Sequence, residues 1–254
     1  MLILKKTFNY LIVNKPSGII CDTKRNNNII QLIIEDLKKD LPFVSSSQFR
    51  IVQRLDKYVT GGLIIARNGK FAKKLNIDKD LVLKKYVGLI GYQNELKSKV
   101  KMVDNFGIIE NDVVAYNERS KLMQNYNAKT HFKLLPHMKT KSLGKNVIPI
   151  IIQIETGRKN QIRDHIYQNF TTTLLNDDKF PLFKTITSND NSINLNSEIF
   201  KSNQIGLHCG YLKMGNDEYT FPLIDDDQEL WSNYITEDGQ LMEEIKHELI
   251  KFEV

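Results

Sequence analysis

Residues 50–68, RIVQRLDKYVTGGLIIARN, constrain the fold most, because charged residues stand between two strand-sized apolar segments. Val, Ile and Leu on both sides are typical of a buried sheet. Arg54, Asp56 and Lys57 lie between them, and the following Thr-Gly-Gly sequence predicts a turn. An Asp beside a glycine turn is commonly a turn cap or an ion-pair partner. A functional interpretation of this stretch therefore depends on the rest of the chain.

The hydrophobic pattern elsewhere predicts short elements of both kinds. Apolar residues at i, i+3, i+4 and i+7 predict a helix over residues 28–39, and the Ser-, Asn- and Asp-rich residues 184–204 predict a long loop. Further helices are predicted over 69–76, within 157–168 and over 238–252. Strands are predicted near 8–14, 62–67, 84–92, 106–116, 128–135, 147–155, 205–214 and 218–223. Because these elements do not alternate as βαβ units, we expect an α+β fold with a mixed, mainly antiparallel sheet.

Composition narrows the class of protein. The formal net charge is +6, which favours an anionic partner, nucleic acid before a membrane surface. No apolar run approaches the about 20 residues that a membrane-spanning helix needs. Cys21 and Cys209 are the only cysteines, too few for a disulfide framework or a four-cysteine zinc site. The histidines show no metal-ligand spacing, so we expect no metal.

Three other stretches, like residues 50–68, combine charged or aromatic side chains with apolar residues. They are NKPSG at 14–18, LKKYVGLI at 83–90 and ETGRKNQIRDHI at 155–166, and each places Lys, Arg or Tyr beside an apolar strand or a turn. Together with IGLHCGYLKM at 205–214, and in this order, they make the chain resemble the RluA-type pseudouridine synthase family. Gln53 departs from the family's His, and Lys159 with Asn160 departs from its Thr-His.

The resemblance implies the pseudouridine synthase catalytic fold, with a sheet flanked by helices around a central cleft, and isomerisation of uridine in RNA. That reaction breaks the N1–C1′ bond, turns the base and joins C5 to C1′. No electrons are exchanged and no group is imported, so we expect no cofactor. A carboxylate can attack the sugar or remove a proton from it, and both routes stay open.

The resemblance also implies residue roles. Asp56 takes the carboxylate role, Arg163 keeps it ionised in a desolvated pocket, and Tyr86 stacks on a flipped uracil. Arg54 holds the target nucleotide out of its stack. The remaining substrate-binding or pocket-wall residues are Lys84, Arg158, Leu55 and Ile162.

The expected partner is RNA, ribosomal before transfer RNA, and the expected organisation is one catalytic domain over residues 1–254. We expect a monomer without membrane contact and without an N-terminal S4-like RNA-binding domain. The Lys- and Asn-rich, compact chain resembles fungal mitochondrial members that act on large-subunit ribosomal RNA, with a cytoplasmic or nuclear location as the alternative. Two other functions stay open: an inactive RNA-binding member of the family, and an enzyme that cleaves the glycosidic bond without rejoining it.

Overall fold

The structure is a computed structural model that describes residues 2–92, 98–117, 120–142, 145–170, 172–177, 179–180, 204–224 and 228–254. The chain forms two compact units. The first comprises residues 1–84, 202–204 and 208–246, and the second comprises 85–201, 205–207 and 247–254. The single catalytic domain over 1–254 stays a prediction. The predicted loop 184–204 lies outside the described residues except at Gln204.

Strands and helices are numbered in chain order through both units. The first unit contains β1 (Ile3–Lys6), β2 (Tyr10–Lys15), β3 (Arg50–Ile51), β4 (Thr60–Ala66), β13 (Leu207–Met214) and β14 (Asp217–Thr220). β2 pairs with β4 antiparallel, whereas β13 pairs with β4 in parallel, so the sheet is mixed. Every residue of β4 is buried, which explains why this strand lacks the polar alternation of a half-exposed one.

The helices of the first unit begin where the sequence provides caps. In α1 (Ile29–Leu37), the Asn28 side chain accepts hydrogen bonds from the backbone N–H groups of Ile30 and Gln31. The Gln31 side chain accepts one from Asn28 N in return, which completes a capping box. In α2 (Gly69–Ile77), Asn68 accepts from Phe71 N at 2.8 Å. Both predicted helices are confirmed to within a few residues.

The second unit is built on antiparallel pairs in the order β5-β12-β10-β7-β6. Its strands are β5 (Val82–Gly91, most of it in this unit), β6 (Met102–Val103), β7 (Phe106–Glu110), β8 (Val113–Asn117), β9 (Leu122–Tyr126), β10 (Lys129–Leu134), β11 (Thr140–Ser142) and β12 (Lys145–Ile154). β8 and β9 form a separate hairpin. The helix α3 (Gln161–Asn169) follows β12, and α4 (Glu243–Lys251) is the last helix of the chain.

Two predicted elements were wrong in extent. Residues 106–116 form two strands, β7 and β8, because the chain leaves the sheet at the polar residues Asn111 and Asp112. The predicted helix over 238–252 begins only at Glu243. Before it, Ile235 and Leu241 form a β-bridge around a turn. Within the described part of the chain, no helix has both the length and the apolar character needed to cross a membrane.

The predicted turn at Thr60-Gly61-Gly62 was also wrong, because these residues begin β4. The turn lies earlier, where Val59 N donates to the Asp56 carbonyl at 3.1 Å. Gly61 has a φ of +104°, and a Cβ there would overlap the Cys209 carbonyl of the adjacent strand. A Cβ on Gly62 would overlap the Phe221 ring. The glycines therefore permit close approach between β4 and its neighbours.

We predict that Gly61→Ala lowers the free energy of unfolding by about 3 kcal/mol or more, since the methyl group meets backbone atoms at an unfavourable φ. Gly69→Ala is the matched control, because its Cβ would meet open space at the start of α2. Urea unfolding of both variants measures the difference. Equal midpoints for the two variants would contradict the close-approach explanation.

Candidate functional site

The first unit carries Arg54, Leu55 and Asp56 in the irregular segment between β3 and β4. Arg54 is exposed, Leu55 is buried and Asp56 is half-buried at the start of the turn that Val59 closes. Arg54 makes no ion pair with the carboxylates in the described ranges. Its guanidinium is therefore not neutralised by Asp56, although the two residues stand only two positions apart.

Lys15, at the end of β2, holds this turn from one side. The residue is completely buried, and its ammonium group donates to the carbonyls of Pro16 at 2.9 Å, Ile19 at 3.0 Å and Lys57 at 3.0 Å. An ammonium group has three donors, and three carbonyl acceptors can satisfy them. Lys15 thus ties the residue after Asp56 to the loop at 16–19, which is a structural role.

A hydrogen-bonded relay holds the other side of the turn. The Gln204 amide donates to Thr60 Oγ1 at 3.1 Å, and Thr60 Oγ1 lies 2.8 Å from Nδ1 of His208. His208 Nε2 lies 2.9 Å from the Phe221 carbonyl, which can only accept, so Nε2 carries the proton. Nδ1 then accepts from the Thr60 hydroxyl. Burial lowers the pKa of His208 to about 4, although the bond to Phe221 opposes that shift.

Lys84 and Cys21 lie close to the same segment. Burial raises the pKa of the Cys21 thiol, even though a backbone hydrogen bond from Leu55 and the charges of Lys15, Lys84 and Arg54 favour the thiolate. Although Lys84 is half-buried overall, desolvation of its amino group lowers its pKa. The Cys21 thiol is therefore less readily ionised than an exposed one. The charges of Lys15, Lys84 and Arg54 thus all act on the thiol that is hydrogen-bonded near Leu55.

Tyr86 belongs to the second unit, where it is buried in β5 opposite Ile152 of β12. The alternation of side chains along a strand directs Lys85 to the other face. There the buried Lys85 amino group donates to the Ile250 carbonyl at 2.6 Å. Tyr86 and Lys85 thus have separate surroundings. Lys84, two positions before Tyr86, is the lysine on the same face of the strand.

The start of α3 is anchored by the Gln161 side chain, which makes four hydrogen bonds. Its amide nitrogen donates to the Lys129 carbonyl at 2.9 Å and to Thr130 Oγ1 at 3.0 Å. Its oxygen accepts from Thr156 Oγ1 at 2.8 Å and from Arg158 N at 3.0 Å. The loop before α3 and strand β10 are therefore joined through a single side chain.

Gln161 also begins a second relay. His165 Nε2 lies 3.1 Å from the Asn111 carbonyl and therefore donates, so Nδ1 accepts from the Thr130 hydroxyl at 2.9 Å. Burial lowers the pKa of His165. The order amide, hydroxyl, imidazole and carbonyl is the same as in the relay through His208. Among the described residues, both relays lie next to a stretch that the sequence predicts to be functional.

Arg163 lies in the first turn of α3 and forms a buried, two-pronged ion pair. Its Nε and Nη2 donate to the two carboxylate oxygens of Asp177, at 2.9 Å and 2.5 Å. The side chains of both residues are less than a tenth exposed. Asp177 also accepts from Lys179 N at 2.9 Å. This geometry fixes the plane of the guanidinium, which is the property that suits arginine to a carboxylate.

The two other predicted residues of the second unit have different surroundings. Ile162 is buried, as expected of a pocket wall or core residue. Arg158 is exposed, and its Nε donates to the Asn127 carbonyl at 3.2 Å. Its guanidinium also lies 5.3 Å from the centre of the Tyr126 ring. Arg158 is thus held at the surface in a defined direction, where an anionic ligand can reach it.

Sequence reasoning missed Asp177 and the Gln161–Thr130 contact. Asp177 stands in LLNDDKF beside a second Asp, and no local pattern distinguishes the two. Thr130 is an ordinary strand residue in sequence, and only the fold places it beside Gln161 and His165. In the described ranges, no three His, Cys, Asp or Glu side chains cluster to hold a metal ion. The absence of a metal or cofactor in the reaction stays a prediction.

Comparison with known proteins gives consistent results. A sequence model described as RNA pseudouridylate synthase matches residues 9–168. The 21S rRNA pseudouridine(2819) synthase of Candida albicans is 43% identical over 248 residues, which cover 90% of this chain and 98% of that protein. The protein of the same name from Saccharomyces cerevisiae is 29% identical over 270 residues, which cover 98% of this chain and 95% of that one.

Solved structures give the same fold. The chain is similar to Human RNA Pseudouridylate Synthase Domain Containing 4 with a TM-score of 0.60 and 17% identity. The similarity covers 91% of this chain and 90% of the human one. At this identity the likeness shows the fold alone. It confirms the predicted α+β class with a mixed, mainly antiparallel sheet.

The His208 relay predicts a pH dependence of stability. The imidazole is neutral in the folded chain, whereas the unfolded chain binds a proton near pH 6.5, so stability is complete above that pH and is lost as pH falls towards 4. We expect a loss of about 3 kcal/mol between pH 7 and 4 from this group. His208→Gln should remove that part of the slope in urea unfolding.

The exposed His247 provides the control for this measurement. His247→Gln should keep the wild-type slope between pH 7 and 4, because it removes a histidine without touching the relay. A His208→Gln variant with the same slope as His247→Gln would show that His208 does not carry the dependence.

Proposed function

The chain belongs to the RNA pseudouridylate synthase family, and on that premise we propose that it isomerises a specific uridine of large-subunit ribosomal RNA to pseudouridine. The proposed substrate is supported by the 43% identity, over nearly the full length of both proteins, to a 21S rRNA pseudouridine(2819) synthase. The rRNA of the proposal is mitochondrial, in keeping with the fungal origin of the two relatives named 21S rRNA synthases.

Asp56 is the proposed catalytic carboxylate. Attack at C1′ and removal of a sugar proton both require an ionised carboxylate at a fixed position. The turn that begins at Asp56 is held by Lys15 through the Lys57 carbonyl and by the His208 relay through Thr60. These contacts support the proposal, because they fix the backbone on both sides of the carboxylate.

Arg163 is proposed as the counter-ion that keeps Asp56 ionised, a role that comes from the family resemblance of the stretch at 161–163. The rigid guanidinium plane set by Asp177 supports this role, because a charge held in one orientation stabilises a carboxylate without reorganisation. The same plane means that the Arg163 charge is shared with Asp177. Arg163 therefore acts as an oriented donor more than as an isolated positive charge.

The remaining roles concern the displaced nucleotide. Tyr86 offers a ring for stacking on the flipped uracil, and the exposed Arg54 guanidinium can occupy the space that the target base leaves. Lys84, whose pKa is lowered by desolvation, and the surface residue Arg158 provide hydrogen bonds or positive charge towards RNA. Leu55 and Ile162 are buried apolar supports for their charged neighbours.

We predict that Asp56→Asn abolishes tritium release from a C5-tritiated transcript of large-subunit rRNA. Binding of the same transcript should be largely unchanged, because the substitution keeps the size of the side chain and removes only its charge. Asp40→Asn, at an exposed carboxylate outside the candidate site, should behave as wild type. In cells lacking the gene, one pseudouridine of mitochondrial large-subunit rRNA should disappear, and the Asp56→Asn gene should not restore it.

Other outcomes identify the alternatives. A wild-type protein that binds the transcript and releases no tritium would be an inactive RNA-binding member of the family. Release of free uracil would indicate cleavage of the glycosidic bond without rejoining. Tritium release from transfer RNA and none from rRNA would contradict the proposed substrate and leave the reaction intact.

A second prediction concerns Arg163. The double variant Arg163→Met/Asp177→Asn removes both buried charges together, which avoids leaving either one unpaired. We expect kcat/KM at pH 7 to fall about 100-fold and the acidic limb of its pH profile to move to higher pH, because Asp56 would lose the cation that favours ionisation. The single variant Asp177→Asn keeps Arg163, so the acidic limb of its pH profile of kcat/KM should not move to higher pH. An unmoved limb in a folded double variant would refute the counter-ion role.

A further inference from the structure

The first unit has a groove of about 390 Å³ between strand β3 and helix α2. Its lining is formed by Arg50, Ile51, Val52, Gly69, Ala72, Lys73, Asn76 and Ile77. The buried or half-buried side chains among them are apolar, whereas Arg50 and Lys73 are exposed. The groove therefore combines an apolar floor with two cations and has no carboxylate in its lining.

The charge of the surrounding chain is mainly positive. Residues 50–77 contain seven Lys and Arg residues against one acidic residue, Asp56, and Asp78 follows directly after α2. Lys70 and Lys74 are exposed on α2 beside Lys73. None of these three lysines forms an ion pair with a carboxylate of the described residues. These three ammonium groups are thus not held in ion pairs with described carboxylates.

Arg50 is held in place at the groove. Its Nη1 donates to the carbonyls of Ser47 at 2.7 Å and Phe49 at 2.8 Å. These bonds use one of the guanidinium nitrogens and leave the others for a ligand. A positioned guanidinium loses little conformational entropy when it binds phosphate, which makes it a better anion contact than a freely moving side chain.

The groove lies within a short distance of the candidate catalytic residues. Arg50 precedes Arg54 by four residues, and an extended chain spans at most about 3.6 Å per residue, so their Cα atoms are no more than about 14 Å apart. An RNA whose target uridine is held at Arg54 and Asp56 would need only a short flanking segment to reach the groove. The same chain segment would then contact the target and its neighbouring nucleotides.

We propose that the groove between β3 and α2 binds the sugar–phosphate backbone of the substrate RNA beside the target uridine. Arg50 and Lys73 contact phosphates, and the floor of Ile51, Val52 and Ala72 receives apolar surface of a sugar or base. Charge complementarity selects RNA as the occupant, since the groove offers cations and no acceptor side chain except Asn76. This inference rests on the proposed function, because it identifies how that substrate is held.

The test compares Arg50→Gln/Lys73→Gln with Lys24→Gln/Lys38→Gln, which removes the same charge from exposed sites outside the groove. The probe is the large-subunit rRNA transcript, with binding measured over a range of salt concentrations. The slope of log K against log salt should decrease in magnitude by about 1.4 for the groove variant, corresponding to two lost phosphate contacts on single-stranded RNA. KM should rise and kcat at saturating RNA should stay at the wild-type value.

Several outcomes would overturn the inference. One is a groove variant with the same salt slope and the same KM as the control variant. Another is a groove variant with reduced kcat and unchanged KM, which would show that Arg50 and Lys73 support the Asp56 turn instead. A groove variant that loses binding of polyglutamate while binding RNA normally would assign the groove to an acidic protein. Failure of wild-type protein to isomerise uridine would count against the proposed function alone, because the salt slope of RNA binding is measured without turnover.

Discussion

A neutral histidine that accepts from a hydroxyl and donates to a main-chain carbonyl is the interaction on which both units of this protein depend. In the first unit it is His208, between Thr60 and the Phe221 carbonyl, and in the second it is His165, between Thr130 and the Asn111 carbonyl. A glutamine amide completes each relay. Every bond in such a relay has a fixed direction, and a buried polar group is stabilising only when its partners are all present. Protonation of the imidazole would reverse one bond in each.

Lys15, Arg163 and Lys84 are cations with limited access to water, and each is accommodated in a different way. Three main-chain carbonyls accept hydrogen bonds from the Lys15 ammonium group, which fixes its position. The carboxylate of Asp177 orients Arg163 while it neutralises part of its charge. Lys84 has a lowered pKa because its amino group is desolvated.

The sequence predicted the parts of the structure that depend on local patterns. The periodicity of α1 and its Asn28 cap lie within ten residues of chain, and the helix begins and ends close to the prediction. The segment around Asp56 was recognised because several stretches occur in a characteristic order. What the sequence did not predict depends on distant residues. Gly61 was predicted to lie in a turn. Its conformation is instead constrained by the Cys209 carbonyl, which lies on a strand almost 150 residues later in the chain.

Two of the departures from the family pattern, Lys159 and Asn160, lie at the entrance to α3. Asn160 departs from the Thr-His of the family motif, and its φ of +57° is in the left-handed region that Asn tolerates better than most residues. Its carbonyl accepts from Asp164 N at 2.9 Å, which is a main-chain bond that does not depend on the side chain. Lys159 is exposed. The Asn160 side chain accepts a long hydrogen bond from Arg163 Nη1 at 3.5 Å, so the substitution at this position contacts the arginine that Asp177 orients.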